Sequence, residues 1–308
     1  MGGSHTGAAS RWWELTIATS ADTSEALTNL LWEIGALGVV EEEVPGTAAR
    51  LRAFFPGTAA PDELETTVRS YLADLARRGF AVADEPRIAP LGDERWTDAW
   101  REHFRPVPVG RRLVVVPPWN TTPTGDRLPI VIEPGRAFGT GHHGSTAGCL
   151  VALEAIVDTE VPRRVIDLGT GSGVLAIAAA RLGVRETLAV DEDPDAVAAA
   201  EANAARNGVA GQVRCVLADA AAVGPDPAPL VVANLLSAAH HRLATSYATL
   251  VASDGALVLG GILDAEADAV EHAVARTGFT PSDRVSLEGW TTLVLRRTPE
   301  HAPVHVPA

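Results

Sequence analysis

The sequence predicts an α/β protein: a mostly parallel, Rossmann-like sheet preceded by a small α+β, ferredoxin-like N-terminal domain. Three observations predict it. Residues 12–84 alternate strand and helix signals in the order βαββαβ, the split unit of ferredoxin-like folds. After residue 145, short apolar runs recur with helical segments between them, the pattern of a parallel sheet covered on both faces. The first of those runs ends in a glycine-dense turn, Gly169-Thr170-Gly171-Ser172-Gly173.

Each element has its own signal. Trp12 to Ala18 reads as a strand, and Asp22 to Ile34 as a helix capped near Asp22 or Thr23 and closed by Gly35. Leu37 to Glu43 and Ala49 to Phe55 read as strands joined by the turn Val44-Pro45-Gly46-Thr47. Pro61 opens a second helix that Gly79 closes, and Phe80 to Asp84 is the expected fourth strand. From Asp93 a short helix carries Trp96, Trp100 and Phe104 on one face. It reads as a connector, so the expected division is a domain over 1–90, a linker over 91–110, a second domain over 111–298 and a flexible tail over 299–308. A short β segment is expected over 105–135, turning at Thr121 to Gly125. The runs Arg164 to Leu168, Thr187 to Val190, Val213 to Leu217, Leu230 to Ala233 and Ala256 to Leu259 are the expected parallel strands. Arg284 to Leu287 and Thr291 to Leu295 form a closing hairpin.

The 308 residues are long for one core and comfortable for two. Net charge is −14, and all 25 basic residues are arginine. Residues 1–104 hold 9 arginines against 17 acids, a net of −8. An acidic surface repels phosphate and attracts basic partners, so direct nucleic-acid substrates are disfavoured. No apolar run approaches the ~20 residues that span a bilayer. Residues 1–10 lack the order of a secretory signal; they fit a loose myristoylation pattern, but a floppy terminus has the same composition. Cys149 and Cys215 sit in apolar stretches and read as reduced thiols, which implies a cytoplasmic protein.

The chemistry begins at the glycine turn. Its spacing is G-x-G-x-G, whereas the dinucleotide fingerprint needs its third glycine one position later, at Val174. Asp167 before the turn would repel a pyrophosphate, but it suits a cationic amino-acid moiety, directly or through water. That combination favours S-adenosylmethionine and a class I methyltransferase sheet. Asp191, 22 residues after Gly169, suits both ribose hydroxyls; the alternative is that it caps the helix at Asp193-Pro194-Asp195. Asp219 is placed to meet the adenine amino group. Asn234 after the fourth strand is placed to hold a substrate amine by its carbonyl oxygen, or else to cap the helix beginning near Ser237. His142-His143 completes no metal-ligand spacing, so no metal is expected. His240-His241 reads as solvated or half-buried. No nucleophile elbow appears.

Upstream, Ile132-Glu133-Pro134-Gly135-Arg136-Ala137-Phe138-Gly139-Thr140-Gly141-His142-His143-Gly144-Ser145-Thr146 is a glycine-dense loop expected to close over a cofactor as a lid. This segment resembles the signature loop of the PrmA family, the methyltransferases of large-subunit ribosomal protein L11. The resemblance continues through Trp96 to Trp119, Asp167 to Ala176, Asp191 to Pro194, Asn203 to Gly208, Asn234-Leu235-Leu236 and Gly260 to Leu263. It implies cofactor contacts at Thr146, Gly169, Asp191 and Asn234, with Asp167, Gly171, Gly173 and Asp219 added from the residues themselves. It also implies a ferredoxin-like domain that recognises the substrate, and repeated methylation of α-amino and lysine ε-amino groups. Three departures stand out: Glu133 where the family commonly has Asp, Gly144 in place of a Pro, and Thr170 where Cys is common.

Methyl transfer to an amine is mainly a matter of alignment, and the amine must arrive neutral, which burial favours. Asn234 and backbone carbonyls are placed to orient it. His143 is a candidate proton acceptor, and a solvent path serves equally. The rival readings are methylation of another protein, a peptide or a small amine, and a non-catalytic ribosome-assembly factor retaining the fold. A nucleotide-dependent oxidoreductase is opposed by Val174.

Overall fold

The computed structural model describes residues 12–19, 21–36, 38–42, 50–77, 80, 85–91, 105–133, 143–224 and 226–298. Among them, contacts separate a unit ending at Arg105 from a unit running from Pro106 to Glu133 and from 143 onward. The connector helix with Trp96, Trp100 and Phe104, the turn at 44–47 and the tail lie outside the described residues.

In the first unit, β1 (Trp12–Ala18), α1 (Ala21–Glu33), β2 (Gly38–Glu42), β3 (Arg50–Phe55), α2 (Pro61–Arg77) and β4 (Arg87–Leu91) follow in order. The sheet runs β2-β3-β1-β4 with every neighbour antiparallel, which is the ferredoxin-like arrangement. Leu64, Val68, Leu72 and Leu75 line one stripe of α2 and pack with Leu15, Ile17, Leu51 and Phe55 of the sheet. The fourth strand is not at Phe80 to Asp84. Phe80 is exposed and outside any strand, residues 81–84 are not described, and Arg87–Leu91 pairs with β1 instead. Pro90 is tolerated there because β4 is an edge strand, where a missing backbone donor costs no ladder bond.

The second unit opens with a small sheet, β5 (Val107–Val109), β6 (Leu113–Val116) and β7 (Leu128–Val131). Next come α3 (Gly144–Thr159), β8 (Arg164–Leu168), α4 (Val174–Arg181), β9 (Glu186–Asp191), α5 (Pro194–Arg206), β10 (Val213–Leu217) and β11 (Ala228–Asn234). The chain closes with α6 (Ser237–Leu250), β12 (Val251–Leu263), α7 (Ala267–Ala275), β13 (Phe279–Leu287) and β14 (Trp290–Arg297). The sheet order is β10-β9-β8-β11-β12-β14-β13, parallel from β10 to β12 and closed by an antiparallel hairpin.

Both faces of this sheet are buried, which is why its strands are continuous apolar runs. Val165, Val232 and Val258 point to the side of α3 and α4, while Ile166, Val231 and Leu257 point to α6 and α7. The strand order reverses between β8 and β11, and the carboxyl edge at such a reversal is where open sheets place ligands. Glu154 of α3, itself buried, fastens the small sheet. Both its oxygens accept the backbone N–H groups of Arg111 and Arg112 at 3.0–3.3 Å. Gly110 at φ +56° makes that approach possible, since a Cβ there would lie 2.3 Å from Glu154 Oε2.

Candidate functional site

Three glycines shape the turn after β8. Gly169, Gly171 and Gly173 all have positive φ, at +69°, +53° and +82°, a region that strains any other residue type. Gly169 also has no room for a side chain, because a Cβ would lie 2.3 Å from Leu235 Cδ2. The turn is thus pressed directly against the segment that follows β11.

Asp167 lies in β8 just before this turn and is fully buried. Its Oδ2 accepts from Thr170 Oγ1 at 2.6 Å and from the Ala176 N–H at 3.1 Å. Its Oδ1 is buried with no hydrogen-bond partner among the described residues. Burial pushes the carboxyl up to about 7, and the charge of Asp191 adds to the shift. Thr170 therefore has a local purpose: its hydroxyl donates to Asp167, where a thiol would be a weaker donor.

Asp191 ends β9 and is part-exposed. It accepts from the Gly171 N–H at 2.9 Å and from the Asp193 N–H at 3.0 Å. The cap of α5 is Asp193, which accepts from the Asp195 N–H at 2.9 Å. Asp191 accordingly braces the glycine turn, and the capping alternative belongs to its neighbour. Asp219 is exposed and caps the 3-10 turn Ala220–Ala222 through the Ala221 N–H.

Asn234 ends β11 beside the turn. Its Nδ2 donates to Thr146 Oγ1 at 3.2 Å, and its Oδ1 is buried without a partner among the described residues. It does not cap α6, whose N-cap position is Leu236. Thr146 is fully buried in the first turn of α3. His143 holds the N-cap position of α3, with Nδ1 2.7 Å from Ser145 Oγ and its ring tilted on Trp290 at 4.6 Å between centroids. Burial lowers the His143 pKa, which favours the neutral ring.

The carboxyl edge thus assembles the glycine turn, Asp167, Asp191, Asn234 and Thr146, with His143 one turn from Thr146. Asp219 is tied to that group only through its neighbour: the Ala218 N–H donates to the Asp191 carbonyl oxygen at 2.8 Å, while the Asp219 carboxylate itself accepts from Ala221. Gly135, Gly139, Gly141 and His142 lie outside the described residues. Gly144 does not behave as a lid hinge. It is the buried first residue of α3, and a Cβ there would lie 2.8 Å from the Leu287 carbonyl oxygen. Gly148 likewise faces Thr292 Oγ1, at 2.4 Å from an added Cβ. These glycines seat α3 on the β13–β14 hairpin, a contact far away in sequence. Cys149 is buried and Cys215 half-buried, both as free thiols.

Residue-level reading missed two further groups. Asn203, on α5, donates to the Ser172 carbonyl at 2.9 Å and accepts from the Glu133 N–H at 3.1 Å. It ties the start of the 133–146 segment to the glycine turn. Asn207, one turn on, pairs with both backbone groups of Val131. Two asparagines four apart on an alanine-rich helix were the available signal. Glu133 forms an ion pair with Arg206 of the same helix. His240 is the second group. It is completely buried, not solvated, and burial drives its pKa down to about 4.

The chain is similar to known proteins over most of its length. Residues 11–298 match the family described as "Ribosomal protein L11 methyltransferase (PrmA)". A protein of that name from Trichlorobacter lovleyi is 34% identical, over 94% of this chain and 100% of its own length. Another from Heliobacterium modesticaldum is 35% identical, over 93% and 98%. A crystal structure described as ribosomal protein L11 methylase from Lactobacillus delbrueckii subsp. bulgaricus superposes with a TM-score of 0.58 at 29% identity. It covers 63% of this chain and all of that one.

Proposed function

Because the chain belongs to the ribosomal protein L11 methyltransferase (PrmA) family, we propose that it transfers methyl groups from S-adenosylmethionine to α-amino and lysine ε-amino groups of ribosomal protein L11. One observation carries the site assignment: two buried, unpartnered oxygens, Asp167 Oδ1 and Asn234 Oδ1, belong to neighbouring strands beside a turn of three positive-φ glycines. A buried acceptor without a donor is costly, so each oxygen awaits one. A cationic amino-acid group fits the first and an amine N–H fits the second.

S-adenosylmethionine, when bound, supplies a methyl group on a sulfonium, which is a good leaving group. Asp167 would hold its ammonium group, Asp191 its ribose and Asp219 its adenine amino group. Gly169, Gly171 and Gly173 let the backbone approach, and Thr146 lines the same edge. Thr146 fixes the amide of Asn234 by accepting from Nδ2, so Oδ1 faces the incoming amine. An amine donating to Oδ1 has its lone pair directed by that bond. An ordinary lysine has a pKa of roughly 10.4 and an α-amine roughly 7.7–8.0, and burial at this edge lowers either. His143, whose pKa burial lowers and whose Nδ1 lies 2.7 Å from Ser145 Oγ, is the candidate acceptor of the released proton.

Residues 1–90 contain no cofactor motif and carry most of the −8 counted over 1–104, which supports a docking role for a basic protein. The acidic balance of the whole chain speaks against direct nucleic-acid binding. No helix among the described residues is long and apolar enough to cross a membrane, and a ribosomal target supports a cytoplasmic place of work. The test is to incubate purified enzyme, S-adenosylmethionine and unmethylated L11, then map the product by tandem mass spectrometry. Added methyl masses on the N-terminal amine and lysines are expected. An unmodified L11, with methylation of a different protein or a small amine, would overturn the assignment.

A further inference from the structure

His240 is a buried polar side chain with all its hydrogen-bonding capacity used. Its Nε2 lies 2.8 Å from the Gly260 carbonyl oxygen, and its Nδ1 lies 2.8 Å from the Tyr247 hydroxyl one face-repeat along α6. A carbonyl cannot donate, so Nε2 carries the hydrogen. Nδ1 is then bare, and the Tyr247 hydroxyl must donate to it. One neutral tautomer satisfies the whole chain from Tyr247 through His240 to Gly260.

The carbonyl at the end of that chain is also the acceptor that closes the parallel β11–β12 ladder beside Asn234. It accepts the Leu235 N–H at 3.1 Å, so it grips the residue directly after Asn234. Gly260 is in register with Asn234 across β11 and β12. A Cβ on Gly260 would lie 3.1 Å from Asn234 Oδ1 and 2.3 Å from Cys149 Sγ. The neighbouring Gly261, at φ +75°, is as tightly placed, since its Cβ would lie 2.4 Å from the Leu235 carbonyl oxygen. Gly260 and Gly261 therefore lie against Asn234 and Leu235 with no room for a side chain between them.

Leucine and phenylalanine would fill the same space without desolvating an imidazole and a phenol, so burial alone does not account for the pair. We infer that His240, oriented by Tyr247, is a positioning residue for methyl transfer: it fixes the Gly260 carbonyl, and through it Leu235 and the amine-holding oxygen of Asn234. This rests on the role given to Asn234 above.

The test uses the full chain with L11 as substrate, measuring kcat, KM, the Kd for S-adenosylhomocysteine and the Tm. His240→Leu should lower kcat at least tenfold while the Kd stays within twofold, with a lower Tm because the buried Tyr247 hydroxyl loses its acceptor. His240→Gln places an amide nitrogen near the Nε2 position and should recover most of the lost kcat. Tyr247→Phe should give a smaller kcat loss with the same unchanged Kd. If His240→Leu does not fold, Tyr247→Phe decides by the same split. Wild-type kcat in His240→Leu, or equal loss in His240→Leu and His240→Gln, would overturn the inference. Asn234→Ala, assayed alongside, separates the two ideas. An inactive Asn234→Ala beside a fully active His240→Leu sinks only the positioning role. An active Asn234→Ala removes the amine-holding role and the positioning role with it.

Discussion

The amide nitrogen of Asn234 donates to the hydroxyl of Thr146, linking the end of β11 to the first turn of α3 across 88 positions of sequence. That bond decides which end of the amide is free. Thr146→Val keeps the shape and removes the acceptor, so Asn234 can rotate and offer the wrong atom. Loss of one such hydrogen bond corresponds to about a tenfold drop in kcat, with little change in Tm. Asn234→Ala should be far more severe at saturating cofactor. Steady-state kinetics on both variants check this, and equal activity in Thr146→Val would mean the orientation is set elsewhere.

Asp191 braces the glycine turn through the Gly171 N–H and is proposed to hold the ribose. Asp191→Ala should weaken S-adenosylhomocysteine binding by at least about tenfold, since charge-assisted hydrogen bonds are worth roughly 1.5–3 kcal/mol each. Calorimetry reads this directly. Unchanged affinity would leave Asp191 as a brace alone.

Asp167 makes binding sensitive to pH. Its carboxyl sits at about 7 in the fold against an ordinary 3.8, chiefly through burial. The native state thus holds the proton more tightly than the unfolded chain. The group's contribution to stability is present below about pH 4 and is lost as pH rises to about 7. A cationic ligand favours the carboxylate, so affinity should increase with pH up to about 7 and then level, with proton release on binding below that. Asp167→Asn should flatten the profile, weaken binding and raise the Tm of the free protein at pH 8 by a few degrees. Calorimetry in buffers of different ionisation enthalpy measures the proton count; none released at pH 6 would refute it.

Glu154 joins α3 to the turn between β5 and β6 through four backbone contacts. Glu154→Ala leaves the Arg111 and Arg112 N–H groups without their acceptor and should cost about 3 kcal/mol. Glu154→Gln should recover little, because its nitrogen confronts those same donors. Denaturant melts compare the three proteins, and a Gln variant as stable as wild type would contradict the account.

Docking of a basic protein onto the acidic first unit should be screened by salt. Full-length kcat/KM for L11 should fall as ionic strength rises, and a chain starting near Asp93 should bind S-adenosylhomocysteine yet methylate L11 poorly. Equal rates for the two chains would move specificity to the edge around Asn234 and His143.

Much of this was legible because the signals are local. Runs such as Val231-Val232-Ala233 announce a strand buried on both faces, and the positive φ of Gly169, Gly171 and Gly173 follows from their spacing. What escaped depends on distant partners. The fourth strand was expected at Phe80 to Asp84, and only the pairing with β1 places it at Arg87–Leu91. Gly144 looked like a hinge because its obstacle, the Leu287 carbonyl, lies 143 positions later. His240 carried no visible sign except a tyrosine seven residues on, and its other partner is in β12.

The position of β14 sets an order of events during synthesis. It follows every other strand of its sheet in the chain, yet it pairs between β12 and β13. The helix bearing Thr146 and His143 rests on that hairpin with no side chain to spare at Gly144 or Gly148. A growing chain that has produced the glycine turn and Asn234 still lacks the seat for the other half of the edge. Activity should therefore appear in a single step, once residues up to Arg297 have left the exit tunnel, and nascent chains stopped before β13 should be inert.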